Sequence, residues 1–284
     1  MNLNELKTEL SAQNAQWDAR TVHRDFFLGY TPGPPNRPLE EREAAATANL
    51  QEAMRAPTRA AVAAKIDWRH FPGRPPLPAG NYVTAVRDQS SCGSCVAFGT
   101  VATFEAALRI QAKNPKLAVD LSEADLFYCH GGVNPGPKCR TGWYPEAALA
   151  VCQKPGIVDE KCFPYTPGDQ PCKRCADWQK RVHKIRSWKK ITTHAEMKNA
   201  LGDHGPLVTC MAVYEDFFHY HTGVYHHVSG GRVGGHCICC VGYDDQQQFW
   251  TCKNSWGTGW GDKGFFKIAY GQCAIDASMW MLQV

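Results

Sequence analysis

A cysteine, a histidine, an asparagine and a glutamine, Cys95, His236, Asn254 and Gln89, are the residues whose types and surroundings could do chemistry together. Cys95 lies in the run Gln89-Ser-Ser-Cys-Gly-Ser-Cys95-Val-Ala-Phe98. Apolar side chains recur at Ala97, Phe98, Val101, Phe104 and Leu108, a 3.6-residue period that predicts a helix with Cys95 in its first turn. Unpaired backbone N–H groups and the positive end of the helix dipole favour a thiolate there, and the thiolate is the nucleophile. Gln89 brings an amide N–H that could meet an oxyanion forming beside Cys95. A reactive cysteine also needs a base and a group to orient that base. Two later stretches offer them: Gly234-Gly-His236 running into Cys237-Ile-Cys-Cys-Val-Gly242, and Lys253-Asn254-Ser-Trp256-Gly-Thr-Gly-Trp-Gly261. Read alone, Cys95 could equally be a buried structural thiol, or half of a redox pair with Cys92. A lone histidine among 11 means little.

Together these motifs resemble the papain-like cysteine peptidases, the cathepsin family. Their order matches, and His236 lies 141 residues after Cys95 (236 − 95), inside the family's range. The resemblance covers roughly Ile66 to Val284. It implies a two-lobed α+β fold, a helical lobe and an antiparallel, β-barrel-like lobe with the cleft between them. It also implies roles. Cys95 is the nucleophile, His236 its ion-pair partner and later proton donor, and Asn254 holds the ring while Trp256 shields that bond. Gln89 and the Cys95 N–H form the oxyanion hole. Gly142 and Trp143 take the place of a Gly-Gly pair that presents backbone to substrate. Cys210, Cys237 and Ser278 line the pocket for the second residue before the cut. Cys210 and Cys237 read first as small hydrophobes that make a modest apolar pocket; the sharper alternative is that they form a disulfide under oxidation and reshape it. The resemblance suggests the disulfides Cys92–Cys139, Cys129–Cys172 and Cys162–Cys175, the last two similar to the pattern in dipeptidyl-peptidase I. Connectivity cannot be deduced from spacing alone. Three departures stand out. Val96 replaces the usual Trp, and Gly235 replaces an acid or amide and should loosen the loop carrying His236. Trp143 should set a bulky ring where substrate backbone normally pairs.

The elements that must position these groups follow from pattern. Leu121-Ser122-Glu-Ala-Asp125 has capping-box spacing; Pro145 to Cys152 opens on a proline; Thr193 caps a helix running to about Leu201. After Gly205-Pro206, the stretches Leu207–Val213, Cys237–Tyr243, Gln248–Lys253 and Phe265–Tyr270 read as strands. Val83 to Val86 reads as a short strand delivering Gln89, and His70 to Tyr82 as a surface loop insertion. A helical half, about 66–190, precedes a β half, about 191–284. Residues 1–65 read as a separate segment. Asn14-Ala-Gln-Trp17 and Phe26-Phe-Leu-Gly29 faintly resemble a cathepsin B propeptide. Pro32 to Pro38 reads as an irregular linker, and Leu39 to Ala64 as a helix or a disordered stretch. The functional expectation is an inhibitory propeptide along the cleft.

Composition bounds the rest. With 44% hydrophobic and 20% charged residues the chain is globular. A net charge of +4 does not imply nucleic acid, and no apolar run reaches membrane length. The N-terminus lacks a secretory pattern, yet 14 cysteines favour a secreted or other extracytoplasmic setting. Cys92-x-x-Cys95 and Cys172-x-x-Cys175 mimic a zinc pattern, but the interval between them is too long. No metal or cofactor is expected, and peptides, the chain's own N-terminal segment and a monomeric state are. The expected activity is a cysteine endopeptidase made as a zymogen. The alternatives are a transpeptidase using the same acyl-enzyme, a weakly active homologue that binds through its cleft, and an oxidoreductase using Cys92 and Cys95.

Overall fold

The computed structural model describes residues 1–22, 26–31, 38–55, 63–130 and 137–284. Most of the linker expected over Pro32–Pro38, and residues 56–62 of the expected helix, lie outside them. The chain is α+β. The helical lobe is built on α3 (Cys95–Gln111), with α4 (Glu123–Tyr128) and α5 (Pro145–Gln153) against it. The first 13 residues of α3 are all buried, so this helix is the lobe's axis. Its small residues let it come close to the sheet. A Cβ at Gly99 would lie 3.1 Å from the Ile238 backbone, the spacing that brings Cys95 to the strand carrying His236. Caps define the shorter helices. The Asp125 N–H donates to Ser122 Oγ at 2.8 Å, Pro145 opens α5, and Thr193 Oγ1 accepts from the Glu196 N–H at the start of α6 (His194–Asp203).

The β lobe is a sheet of β3 (Ser187–Ile191), β4 (Leu207–Tyr214), β5 (Tyr220–Tyr225), β6 (Arg232–Asp244), β7 (Phe249–Lys253), β8 (Phe265–Ala269) and β9 (Met279–Gln283). The N-terminal part adds α1 (Leu3–Ala12), β1 (Trp17–Ala19) and α2 (Leu39–Arg55), and β2 (Lys65–Asp67) follows. Strand order is β1-β5-β8-β7-β6-β4-β9-β3, with β2 also on β6. β6 is covered on both faces, which explains its unbroken apolar run from Cys237 to Val241. One apolar cluster fills the β lobe. A second joins α3, α4 and α5 to Val208, Cys210, Cys237, Trp280 and Leu282, so the two lobes meet along α3, β4 and β6. Cys92–Cys139, Cys129–Cys172 and Cys162–Cys175 are bonded and tie the helical lobe's loops.

Several expectations are corrected. Val83–Val86 forms no strand; a single bridge, Asp88 to Trp256, delivers Gln89. The His70–Tyr82 excursion is anchored, not loose. Phe71 stacks on Trp68 at 4.5 Å, Tyr82 meets Trp68 edge-on at 5.6 Å, and all three rings are buried. Three strands are not expected from sequence at all: β1 pairs with β5, β2 with β6, and β3 with β9. Gly234 and Gly235 are not in a loop. They belong to β6 and pair with Val213 and Ala212 of β4, so the strand itself holds His236.

Candidate active site

Cys95 is the first residue of α3 and is fully buried. Burial pushes its thiol up to about 12; backbone N–H groups of Cys237, Gly29 and Val96 pull it back, while Cys210 raises it. His236 sits on β6 opposite Met211 and immediately precedes Cys237, whose N–H reaches the Cys95 sulfur. Burial pulls the imidazole down to about 4, against the Asn254 hydrogen bond that raises it. In this form both groups are therefore neutral at ordinary pH. His236 Nε2 lies 2.7 Å from Asn254 Oδ1. That oxygen also accepts the Ser255 N–H at 2.8 Å, so it can only receive, and Nε2 carries the proton. Nδ1 is left as the basic nitrogen. It is buried and has no hydrogen-bond partner among the described residues. Trp256 stacks on the imidazole at 4.7 Å and 27°.

Gln89 is fixed by its neighbours. Its backbone N–H donates to Ser255 O at 2.8 Å, and its Oε1 accepts from Ser255 Oγ at 2.6 Å. That bond orients the amide so that Nε2 faces inward. Tyr165 adds a second brace, its hydroxyl donating to Gln89 O and meeting Ser94 Oγ, both at 2.8 Å. Ser255 and Tyr165 escaped notice as site residues in the sequence. The only signals were Ser255's place beside Asn254 and Tyr165's in Lys161-Cys-Phe-Pro-Tyr165.

The site is occupied by the chain's own residues 26–31. Phe26 stacks on Trp256 at 4.4 Å and 23°. Phe27 O accepts from Gln89 Nε2 at 2.9 Å, a bond that Nε2 also gives to Cys92 O. The Gly29 N–H reaches the Cys95 sulfur, and Gly29 O accepts from Trp143 N at 2.7 Å. Tyr30 N donates to Gly235 O at 3.1 Å and Thr31 N to Trp143 O at 2.9 Å. Tyr30 itself packs on the cluster containing Cys210 and Cys237. Burial raises its hydroxyl's pKa, Cys210 adds to the rise, the Arg42 guanidinium over the ring lowers it, and Cys237 and Glu146 raise it. Cys210 and Cys237 face each other across β4 and β6. Half-buried Ser278 stands beside Cys210's neighbour, since Met279 pairs with Thr209. Cys210 and Cys237 are thus on adjoining strands, and Ser278 immediately precedes β9, the next strand along.

Trp143 corrects an expectation. Its ring is buried in the helical lobe, edge-on to Phe127 at 6.5 Å, and only its backbone faces the segment. Gly142 has φ +68°, and a Cβ there would fall 1.9 Å from Gly29 O. The Gly142-Trp143 pair therefore presents main chain much as two glycines would. Cys92 is bonded to Cys139, so no Cys92–Cys95 dithiol exists and the oxidoreductase reading falls.

Residues 62–282 match the model of the papain family cysteine protease. The chain belongs to that family. It is 36% identical over 209 residues to "Cathepsin B-like CP2" of Giardia intestinalis, covering 68% of this chain and 67% of that one. It is 32% identical over 241 residues to "Cathepsin B-like cysteine proteinase 3" of Caenorhabditis elegans, covering 74% and 64%. The chain thus spans about two thirds of the length of these relatives. Its fold matches "proCathepsin B S9 from Trypanosoma congolense" with a TM-score of 0.72 at 20% identity, covering 99% and 97% of the chains. It also matches a digestive procathepsin L 3 of Tenebrio molitor larval midgut with a TM-score of 0.72 at 22% identity, covering 99% and 88%. Residues 26–31 of this papain-family peptidase are seated in its own cleft.

Proposed function

We propose that the chain is a cysteine endopeptidase that forms an acyl-enzyme on Cys95 and is held inactive by residues 26–31. One observation carries this. The segment takes the two groups the chemistry needs, placing Phe27 O on Gln89 Nε2 and the Gly29 N–H on the Cys95 sulfur. Departure of the segment admits water and lifts the desolvation that keeps thiol and imidazole neutral. The thiol proton then passes to His236 Nδ1, and the thiolate attacks the peptide carbonyl. Gln89 Nε2 and the Cys95 N–H receive the oxyanion. His236 returns its proton to the leaving amine, and water, deprotonated by the same nitrogen, hydrolyses the thioester. Asn254 keeps the ring in the tautomer that leaves Nδ1 free. Cleavage inside chains is supported by the absence, in the sequence, of an insertion resembling the occluding loop of cathepsin B.

The segment's direction supports inhibition without cleavage. It runs from Trp256 at Phe26 to the Cys210–Cys237 pocket at Tyr30. A substrate whose residues before the cut enter that pocket runs the other way. No carbonyl of the segment then meets Cys95 with an amine leaving towards Trp256. We place the boundary of the mature enzyme near Ile66, because Lys65–Asp67 pairs with β6 and belongs to the β lobe. Three disulfides support an extracytoplasmic compartment.

The test is turnover of a fluorogenic peptide library in reductant, before and after brief mild acidification, with a Cys95→Ala control. Cleavage that emerges on acidification and is missing in the control is the expected result. Silence of the wild-type chain in every condition, with Cys95 still open to an epoxide inhibitor, would reject peptide hydrolysis.

A further inference from the structure

Tyr30 packs against a cluster that contains two thiols, Cys210 and Cys237, close enough to raise its own pKa, and the proposed chemistry uses neither. Cys210 on β4 and Cys237 on β6 are direct cross-strand partners. Residues so placed in an antiparallel pair have Cα atoms about 4.5–5.5 Å apart with side chains on one face, inside the span a disulfide requires. Both are free and buried. Their thiols share a hydrogen bond, which, after burial, is the next cause holding the Cys237 thiol well above its ordinary pKa. A thiol so held is a poor nucleophile, and Tyr30 packs against the same cluster of residues. The sheet contains a second pair of the same kind. Cys240 of β6 faces Cys252 of β7, and these thiols also share a hydrogen bond. That pair lies within the β-lobe core, away from the segment that fills the cleft. The two pairs differ in access, not in pairing geometry.

We propose that Cys210 and Cys237 form a modification site in the substrate pocket, closed to a cross-strand disulfide by a small peptide disulfide such as oxidised glutathione once the N-terminal segment has lifted. The cleft already holds a peptide, residues 26–31, so a glutathionyl chain reaches the pocket by the route that segment vacates. One pocket thiolate attacks the glutathione disulfide, forming a mixed disulfide and releasing one glutathione thiolate, which takes up a proton. The other pocket thiolate attacks the protein sulfur of that mixed disulfide and releases the second. Two thiols are oxidised, one glutathione disulfide is reduced to two glutathiones, and the two protons lost by the protein are gained by the products. The bond fixes a floor that two separate thiols leave free to rotate, so it acts on the choice of the second residue before the cut. That consequence rests on the proposed peptidase reading; formation of the bond does not.

The experiment uses full-length Cys95→Ala chain, to remove the catalytic thiol, with and without Tyr30→Ala. Both are incubated with oxidised glutathione, and peptide mapping follows the Cys210–Cys237 and Cys240–Cys252 links over time. The proposal requires the Cys210–Cys237 link to form at least tenfold faster when Tyr30 is removed, with Cys240 and Cys252 still reduced. A chain that stays reduced at Cys210 and Cys237, one that stops at a glutathione adduct on either, or equal rates with and without Tyr30 would each overturn it. Gly29→Ala, which lifts the same segment without altering Tyr30, replaces Tyr30→Ala if circular dichroism shows that variant unfolded. Because the readout is a bond and not turnover, it stands whether or not peptide hydrolysis is observed.

Discussion

Replacing Gly29 by alanine should open the cleft while leaving the fold intact. An added Cβ would lie 1.8 Å from Gly93 O and 2.3 Å from Gly93 C, distances no carbon occupies. Gly93 cannot retreat. Its N–H donates to Cys139 O at 3.0 Å, and its neighbour Cys92 is bonded to Cys139. The segment must give way instead. Leaving the cleft breaks the bonds from Gln89 Nε2 to Phe27 O, Trp143 N to Gly29 O, Tyr30 N to Gly235 O, and Thr31 N to Trp143 O. At ~1 kcal/mol each these sum to about 4 kcal/mol, or roughly a thousandfold in the ratio of closed to open chains. The rest of the N-terminal region has its own anchors. β1 stays paired with β5, Trp17 Nε1 donates to His226 O at 3.0 Å, and Asn49 Nδ2 donates to Asp276 O at 3.2 Å. The readout is iodoacetamide labelling of Cys95 in the unprocessed chain at neutral pH, followed by intact mass and peptide mapping. The rate should rise by between about ten- and a thousandfold, up to the full shift in the closed-to-open ratio. Gly259→Ala, whose Cβ meets nothing within 4 Å, should leave the rate unchanged. Labelling as slow in Gly29→Ala as in wild type would refute the reasoning, as would simultaneous labelling of every free cysteine, which would mean the fold had gone.

Three further outcomes follow from the same geometry. Gln89→Ala in the processed enzyme should lower kcat by roughly 10²–10³ with little change in KM; steady-state kinetics showing unchanged kcat would remove Gln89 from the oxyanion site. Asn254→Ala strands the buried His236 Nε2–H, at a cost of about 1–3 kcal/mol, so kcat/KM should fall roughly 5- to 100-fold; parity with wild type would leave Trp256 alone to orient the ring. Acid should loosen the segment. His236 is held at about 4 in the closed form against an ordinary 6.5, so the open form binds the extra proton and closure loses stability as pH falls from 6.5 towards 4. Corrected hydrogen-exchange protection of residues 26–31 in Cys95→Ala chain should therefore drop between pH 7 and 4.5, and pH-independent protection would contradict this.

The catalytic set could be read from sequence because each member is tied to a local pattern that survives without coordinates. Cys95 needed only a helical period beginning beside it, and His236 and Asn254 needed only motif and order. The two misreadings share a cause. Trp143 and Gly235 were judged by side chain, as a ring that obstructs and a missing group that loosens. What both contribute to the cleft is main chain, Trp143 through N–H and C=O to Gly29 and Thr31, and Gly235 through C=O to Tyr30. Strand pairing decides which face each side chain takes, and pairing partners such as Ala212 for Gly235 are 23 residues away in sequence (235 − 212). The strands left unread have the same explanation. Trp17–Ala19 and Lys65–Asp67 are three residues long and become strands only because β5 and β6 offer them an edge or a partner. Residues 26–31 are the sharpest case. Phe26-Phe-Leu-Gly29 suggested a propeptide by resemblance, but nothing in its composition says that Gly29 must be glycine. That requirement comes from Gly93, 64 positions further on (93 − 29), whose carbonyl a Cβ at Gly29 would strike; Gly142, 113 positions on (142 − 29), must in turn be glycine because its own Cβ would strike Gly29 O. Residues 26–31 are therefore seated through a contact among three glycines, and sequence shows each of them only as an ordinary turn residue.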